Sequence, residues 1–211
     1  MIIPNLDFGG AQKSFASLST LLSPYCELLL VVFNKDKIAP LHFGAELEDL
    51  QVSGATTYLG KIISFIKRVR RLKEIKKRFD PDVAISFLEG ADYVNLLSKG
   101  KEEIWFYIHG SKMYDKNIRG VIGFLRKRIF LSLSFSRANR ILVVNNRIKE
   151  ELVEHFSITK VPIVTMKNFF DLNELDQQSA ESISDAMAAL FNNYFTICIS
   201  GAILPEIQIV K

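Results

Sequence analysis

Apolar residues run along this chain in short bursts, separated by longer stretches in which they recur every three or four positions. The bursts MIIPN (1–5), ELLLVVF (27–33), ATTYL (55–59), DVAISFL (82–88), EIWFYIH (103–109), RILVVN (140–145) and VPIVTM (161–166) read as strands. Several are apolar throughout rather than alternating, the pattern of strands buried on both faces of a parallel sheet. The stretches 11–22, 61–79, 90–99, 118–137 and 146–156 carry helical periodicity. Strand and helix therefore alternate, which predicts an α/β domain built on a parallel sheet flanked by helices.

The pattern changes after Asp171. Residues 172–193 are acidic and polar, YFTICISG then reads as a fresh strand ending in glycine, and Pro205 disfavours a helix through the last residues. The expected organisation is a domain over 1–171, a linker over 172–193 and the start of a second α/β unit over 194–211. With 48% apolar residues in a chain of 211, a substantial core is expected and global disorder is not. Cys26 and Cys198 form no metal-ligand or redox spacing, which fits a reducing, cytoplasmic compartment. Neither a signal peptide nor an apolar run long enough to span a bilayer is evident.

Charge adds one feature. In KIISFIKRVRRLKEIKKRF (61–79), Ile62, Phe65, Ile66, Val69, Leu72, Ile75 and Phe79 form one stripe, and basic residues fill most of the remainder. Lys67, Arg70, Arg71, Lys76 and Lys77 are candidates for contact with an anionic membrane surface, against the plainer reading of a solvated outer helix. The segment 119–137 is a second basic, apolar stretch. Nucleic acid is not expected as a partner, because no recognised motif accompanies the charge and aromatic residues are not interleaved with it.

Candidate chemistry gathers where strands end, since ligands of parallel sheets bind at their carboxyl edge. Gly9 and Gly10 join the first strand to a helix, either as a tight turn or as a phosphate-approaching loop. GGAQKS satisfies neither the GxGxxG fingerprint nor a Walker A loop. His109 emerges from IWFYI with Gly110 directly after it, placed to hydrogen-bond or titrate in a crevice or simply to cap nearby backbone. Glu89 could orient a substrate hydroxyl or favour a helix N-terminus. Asn145 and Asn168 close two further strands. No metal-ligand spacing, Ser/His/Asp signature or carboxylate pair is present, so no metal is expected.

In order, PNLDFGGAQKSFASL, FDPDVAISFLEGADYVNLL, IWFYIHGS, SRANRILVVNN and MKNFFDLNEL resemble the N-terminal domain of family-4 retaining glycosyltransferases over about residues 1–175. The resemblance implies the Rossmann-like N-terminal half of a GT-B fold, whose acceptor side faces a separate donor-binding domain. It implies a nucleotide sugar as co-substrate with no other cofactor, and a glycan or lipid-linked acceptor at the inner membrane surface. By the same resemblance Gly9 and Gly10 match the glycine loop near the donor diphosphate and acceptor, and His109 the histidine at the transferred sugar. Asn168 and Asp171 match the closing NxxD segment, whereas Asn145 stands where serine is frequent. Ala202 replaces the arginine of the first C-terminal strand, and the chain stops at Lys211 before the donor domain. Little or no transferase activity is therefore expected of this chain alone, and the exposed interdomain face is a candidate homodimer contact. The rival expectation is a non-catalytic Rossmann-like module that binds a membrane or protein partner.

Overall fold

The computed structural model describes residues 1–36, 39–113, 130–169 and 172–195. The chain divides into two compact units, Met1–Phe170 and Asp171–Lys211. In the first, seven parallel strands form one sheet: β1 (Ile2–Ile3), β2 (Leu29–Val32), β3 (Glu46–Asp49), β4 (Val83–Phe87), β5 (Glu103–Ile108), β6 (Arg140–Val143) and β7 (Ile163–Thr165). Their order is β3-β2-β1-β4-β5-β6-β7. The chain runs outward from β1 to β3, returns to β4 beside β1, and then runs outward the other way. β1 and β4 therefore flank a topological switch point, where the loops leaving their carboxyl ends diverge and open a crevice.

The helices of this unit are α1 (Gly10–Leu22), α2 (Tyr58–Phe79), α3 (Glu89–Leu97), the short α4 (Ser132–Phe135) and α5 (Asn146–Glu154). Alternating residues of β1, β2, β4, β5 and β6 feed two apolar clusters. Ile2, Val31, Ala84, Phe106 and Ile141 belong to one, with Leu72 and Ile75 of α2 and Ala91 and Val94 of α3. Ile3, Leu30, Val32, Phe87, Tyr107 and Leu142 join Phe15 and Leu18 of α1 in the other. Burial on both faces explains why these strands are apolar without alternation.

Two elements differ from the sequence expectation. Residues 55–59 begin a helix instead of forming a strand: Thr57 is the N-cap of α2, and its side chain accepts from the Gly60 N–H at 3.2 Å. The third strand is the polar ELED at 46–49. As an edge strand it covers little apolar surface, and its carboxylates have local partners, Glu48 with Arg78 at 2.5 Å and Asp49 with the Gln51 N–H at 2.7 Å.

The basic helix also needs correction at one position. Lys76 is 6% exposed, faces away from solvent, donates to Asn95 O and Oδ1 at 2.9 and 2.7 Å, and pairs with Glu102 at 2.6 Å. It sits beside Leu72 and Ile75 on the buried side of α2, so it lies outside any membrane-facing surface. Arg71 turns back on the domain, donating to the carbonyls of Leu50 and Gln51. Lys67, Arg70, Arg71 and Lys77 remain exposed. Most of the second basic segment, 119–137, lies outside the described residues.

The second unit contains α6 (Leu172–Ser179) and α7 (Asp185–Asn193), the latter capped by Ser184 through the Met187 N–H. Residues 196–211, which hold most of the expected start of a further unit, lie outside the described residues, as does Asp171.

Candidate functional site

The strand order sets Gly9–Gly10, Glu89, His109, Asn145 and Asn168 along one edge, after β1, β4, β5, β6 and β7 respectively. Neighbouring strands of a sheet lie about 4.8 Å apart, so the row spans the crevice at the switch point.

Gly9 caps α1 in an extended conformation and supplies no side-chain hydrogen bond to the helix. A Cβ on Gly9 would stand 2.4 Å from Gln12 Oε1, so the bare glycine is what lets the Gln12 side chain fold back and donate to Asn5 Oδ1 at 2.7 Å. A Cβ on Gly10 would meet nothing. As at any helix N-terminus, the first-turn amides of α1 lack carbonyl partners within the helix, the arrangement that attracts anions.

At the end of β4, Leu88 has φ 70°. A branched, bulky residue with positive φ is strained, and such strain concentrates where a turn must aim a functional side chain. The residue aimed here is Glu89, the first of α3. One of its oxygens accepts from Tyr93 Oη at 2.6 Å, and the other lies 3.6 Å from Lys112 Nζ. Beneath it, fully buried Asp92 accepts from Ser86 Oγ at 2.7 Å. Burial pushes the Asp92 carboxyl up to about 8, with Lys112 and the Ser86 hydrogen bond opposing.

His109 leaves β5 against two aromatic rings, Phe87 at 5.4 Å and Tyr107 at 4.2 Å between centroids. Burial, and secondarily the Lys112 ammonium, push its imidazole down to about 4. The ring is therefore neutral at physiological pH, one nitrogen a donor and the other an acceptor. Its Nε2 is buried without a hydrogen-bond partner. Buried polar atoms are nearly always satisfied, so this nitrogen, at a strand end beside a crevice, is available to a partner.

The remaining two positions have visible structural duties. Asn145 is the N-cap of α5 and accepts from the Ile148 N–H at 3.0 Å. Asn168 Oδ1 accepts from Ser14 Oγ at 3.2 Å, which ties the end of the sheet to α1. Lys112, Ser14 and Glu151 were not foreseen. Lys112 had a weak signal, a basic residue three positions after a strand-end histidine, but Ser14 and Glu151 look like ordinary surface positions of amphipathic helices.

A cavity of about 340 Å³, lined by Asn5, Asp7, Asn34, Asp36 and Arg68 among others, flanks the glycine turn. A slightly larger one of about 370 Å³ opens between Cys26, Phe79 and Pro81, at the amino edge of the sheet and away from the row of candidates. Among the described residues no group of three His, Cys, Asp or Glu side chains could hold a metal ion. Among the same residues no helix is long and apolar enough to cross a membrane.

The family model of Glycosyltransferase Family 4 matches residues 8–174. A curated relative, the N-acetylgalactosamine-N,N'-diacetylbacillosaminyl-diphospho-undecaprenol 4-alpha-N-acetylgalactosaminyltransferase of Campylobacter jejuni, is 27% identical over 192 residues, covering 87% of this chain and 51% of that protein. Among solved structures, HepE of Anabaena, in complex with UDP and glucose, aligns with a TM-score of 0.53 at 15% identity over 85% of this chain and 50% of its own. The UDP-GlcNAc 2-epimerase of Neisseria meningitidis, bound to UDP-GlcNAc, aligns with a TM-score of 0.53 at 13% identity over 91% and 54%. These structural likenesses show a Rossmann-like α/β fold of the GT-B kind, and the epimerase among them illustrates that the fold alone does not fix the reaction. The chain spans about half the length of the relatives it matches.

Proposed function

The chain belongs to Glycosyltransferase Family 4, and on that premise we propose that it forms the acceptor side of an enzyme that transfers a sugar from a nucleotide-sugar donor to a lipid-linked glycan. In such a transfer the bond from the anomeric carbon to the donor diphosphate breaks, a bond to an acceptor hydroxyl forms, and that hydroxyl loses its proton. The observation that carries the reading is His109: a neutral imidazole with a buried, unsatisfied Nε2, set beside the switch point within the matched residues. A neutral ring can bind sugar hydroxyls as donor and acceptor at once, which an imidazolium cannot. Gly10 leaves room for close approach at the start of α1, and Glu89 offers a carboxylate for a hydroxyl. Asn168 would shape the far wall, and Asn145 would act mainly through the cap of α5.

The acceptor we propose is a saccharide on a polyprenyl diphosphate, the class named for the Campylobacter relative. The membrane-facing surface proposed for it is the outer face of α2. Lys67, Arg70 and Lys77 are exposed there, and Tyr58, Leu59, Ile62, Ile63 and Ile66 expose apolar surface in its first half. Cations beside insertable apolar groups suit an anionic lipid surface.

We also propose that 172–193 links this domain to a donor-binding one and that residues 1–211 alone do not turn over. A transferase needs groups on the far side of the cleft to stabilise the leaving diphosphate. Incubation of the full chain with a labelled UDP-sugar and a polyprenyl-diphosphate glycan tests this. No labelled lipid product is expected from the chain alone, and His109-dependent product when a donor-binding domain is supplied. Product from the chain alone would overturn the dependence on a second domain. Absence of product with every donor domain, together with no acceptor binding, would favour a non-catalytic module.

A further inference from the structure

The turn that follows His109 is held from both sides by carboxylates. Glu151, on α5, accepts from Ser111 Oγ at 2.5 Å through Oε2 and from the N–H groups of Lys112 and Met113 at 2.6 and 3.0 Å through Oε1. Opposite it, Lys112 Nζ lies 3.6 Å from Glu89 Oε2 on α3, with side chains only 12% and 7% exposed. α3 and α5 begin at the ends of β4 and β6, the two strands on either side of β5. The turn is therefore strapped to both of its neighbours in the sheet.

The bonds to Glu151 are charge-assisted, the stronger class of protein hydrogen bond. They act directly after Gly110, whose surroundings leave a Cβ position open and so provide no steric restraint of their own. A glutamate on an amphipathic helix is ordinarily solvated. Here it is half-buried and spends both oxygens on one turn. Among the described residues, the charged and titratable groups around that turn are Lys112 itself, Glu89 and Asp92 from α3, and Glu151 from α5.

We propose that Glu151 is a positioning residue: by pinning residues 111–113 it holds the Lys112 ammonium against Glu89 and beside the His109 imidazole. The functional weight of this strap rests on the reading of His109 given above, but the strap itself is measurable without any substrate.

Amide exchange and the His109 imidazole titration, both followed by NMR on the full chain, test it in wild type, Glu151→Ala and Ser111→Ala. Glu151→Ala is expected to speed exchange at Lys112 and Met113 by about 10-fold or more, the effect of losing a hydrogen bond of ordinary strength. Amides of β5 and β6 should be unchanged, and the His109 titration should move upward as Lys112 drifts away. Ser111→Ala removes the hydroxyl bond to Glu151 without touching α5, so it should shift the same observables by a smaller step and serves if Glu151→Ala does not fold. A His109 titration unchanged in the folded Ala variants would overturn the proposal, because a purely structural contact alters exchange and Tm but not the imidazole. Should His109 prove dispensable for sugar transfer while its titration still responds, positioning by Glu151 stands and the functional reading fails.

Discussion

At the scale of single residues, the proposed site turns on His109, whose imidazole its surroundings keep neutral. The unfolded chain takes up a proton on His109 near its ordinary value of about 6.5, whereas the folded imidazole waits until about 4. Folded protein therefore binds fewer protons than unfolded protein in this window, and the contribution of His109 to stability falls as pH drops through it. Asp92, pushed up to about 8, has the opposite slope over part of the same range. The wild-type curve alone thus mixes the two, and the difference between wild type and His109→Asn isolates the histidine. Relative to wild type, His109→Asn should gain on the order of 1–2 kcal/mol between pH 7 and pH 4.5 in chemical denaturation. A pH-independent difference would show that the imidazole is not desolvated. His109 was legible in the sequence because a lone polar residue ends an apolar run. The strap around it was not, because Glu151 lies 40 residues beyond Ser111 and is brought to it only by the sheet.

At the scale of elements, α2 shows what periodicity can and cannot assign. Of its stripe Leu72 and Ile75 are buried while Ile62 and Ile66 are exposed, and Lys76 shares the buried side because Asn95 and Glu102 receive its ammonium. No pattern of helical spacing reveals a partner contributed by another element. Burial lowers the Lys76 ammonium to about 8 even with Glu102 beside it. Lys76→Met should therefore cost about 3 kcal/mol in chemical denaturation, since it leaves the Glu102 carboxylate buried without its cation. By contrast, Lys67, Arg70 and Lys77 should be replaceable together by Gln with little change in stability. The same triple substitution should weaken binding to phosphatidylglycerol-rich vesicles by on the order of 100-fold, at about 1 kcal/mol per basic residue. Unchanged vesicle binding would remove α2 from the membrane reading. The exchange of strand 55–59 for strand 46–49 has a related cause. ATTYL looked apolar enough for a strand but carries its own helix cap in Thr57, whereas the polar ELED pairs at an edge where the sheet does not demand hydrophobicity.

At the scale of the whole molecule, the parallel sheet flanked by helices was readable as a class of architecture because buried parallel strands leave long apolar runs, whereas the strand order and its switch point emerge only in the fold. That logic also located Gly9–Gly10, Glu89, His109 and Asn168 on one edge, since all of them follow strands. The acceptor is not legible in the same way, because it is defined by a surface assembled from loops whose spacing in sequence carries no information. The most direct measurement of the central claim is therefore acceptor binding by the full chain, followed residue by residue in 15N NMR spectra. Titration with a short-chain polyprenyl diphosphate linked to a saccharide should give saturable shifts at Gly9, Gly10, His109 and Lys112, abolished at saturating ligand by His109→Ala. Saturable binding that leaves these four residues unmoved, or no binding at all, would contradict an acceptor site at the carboxyl edge of this sheet.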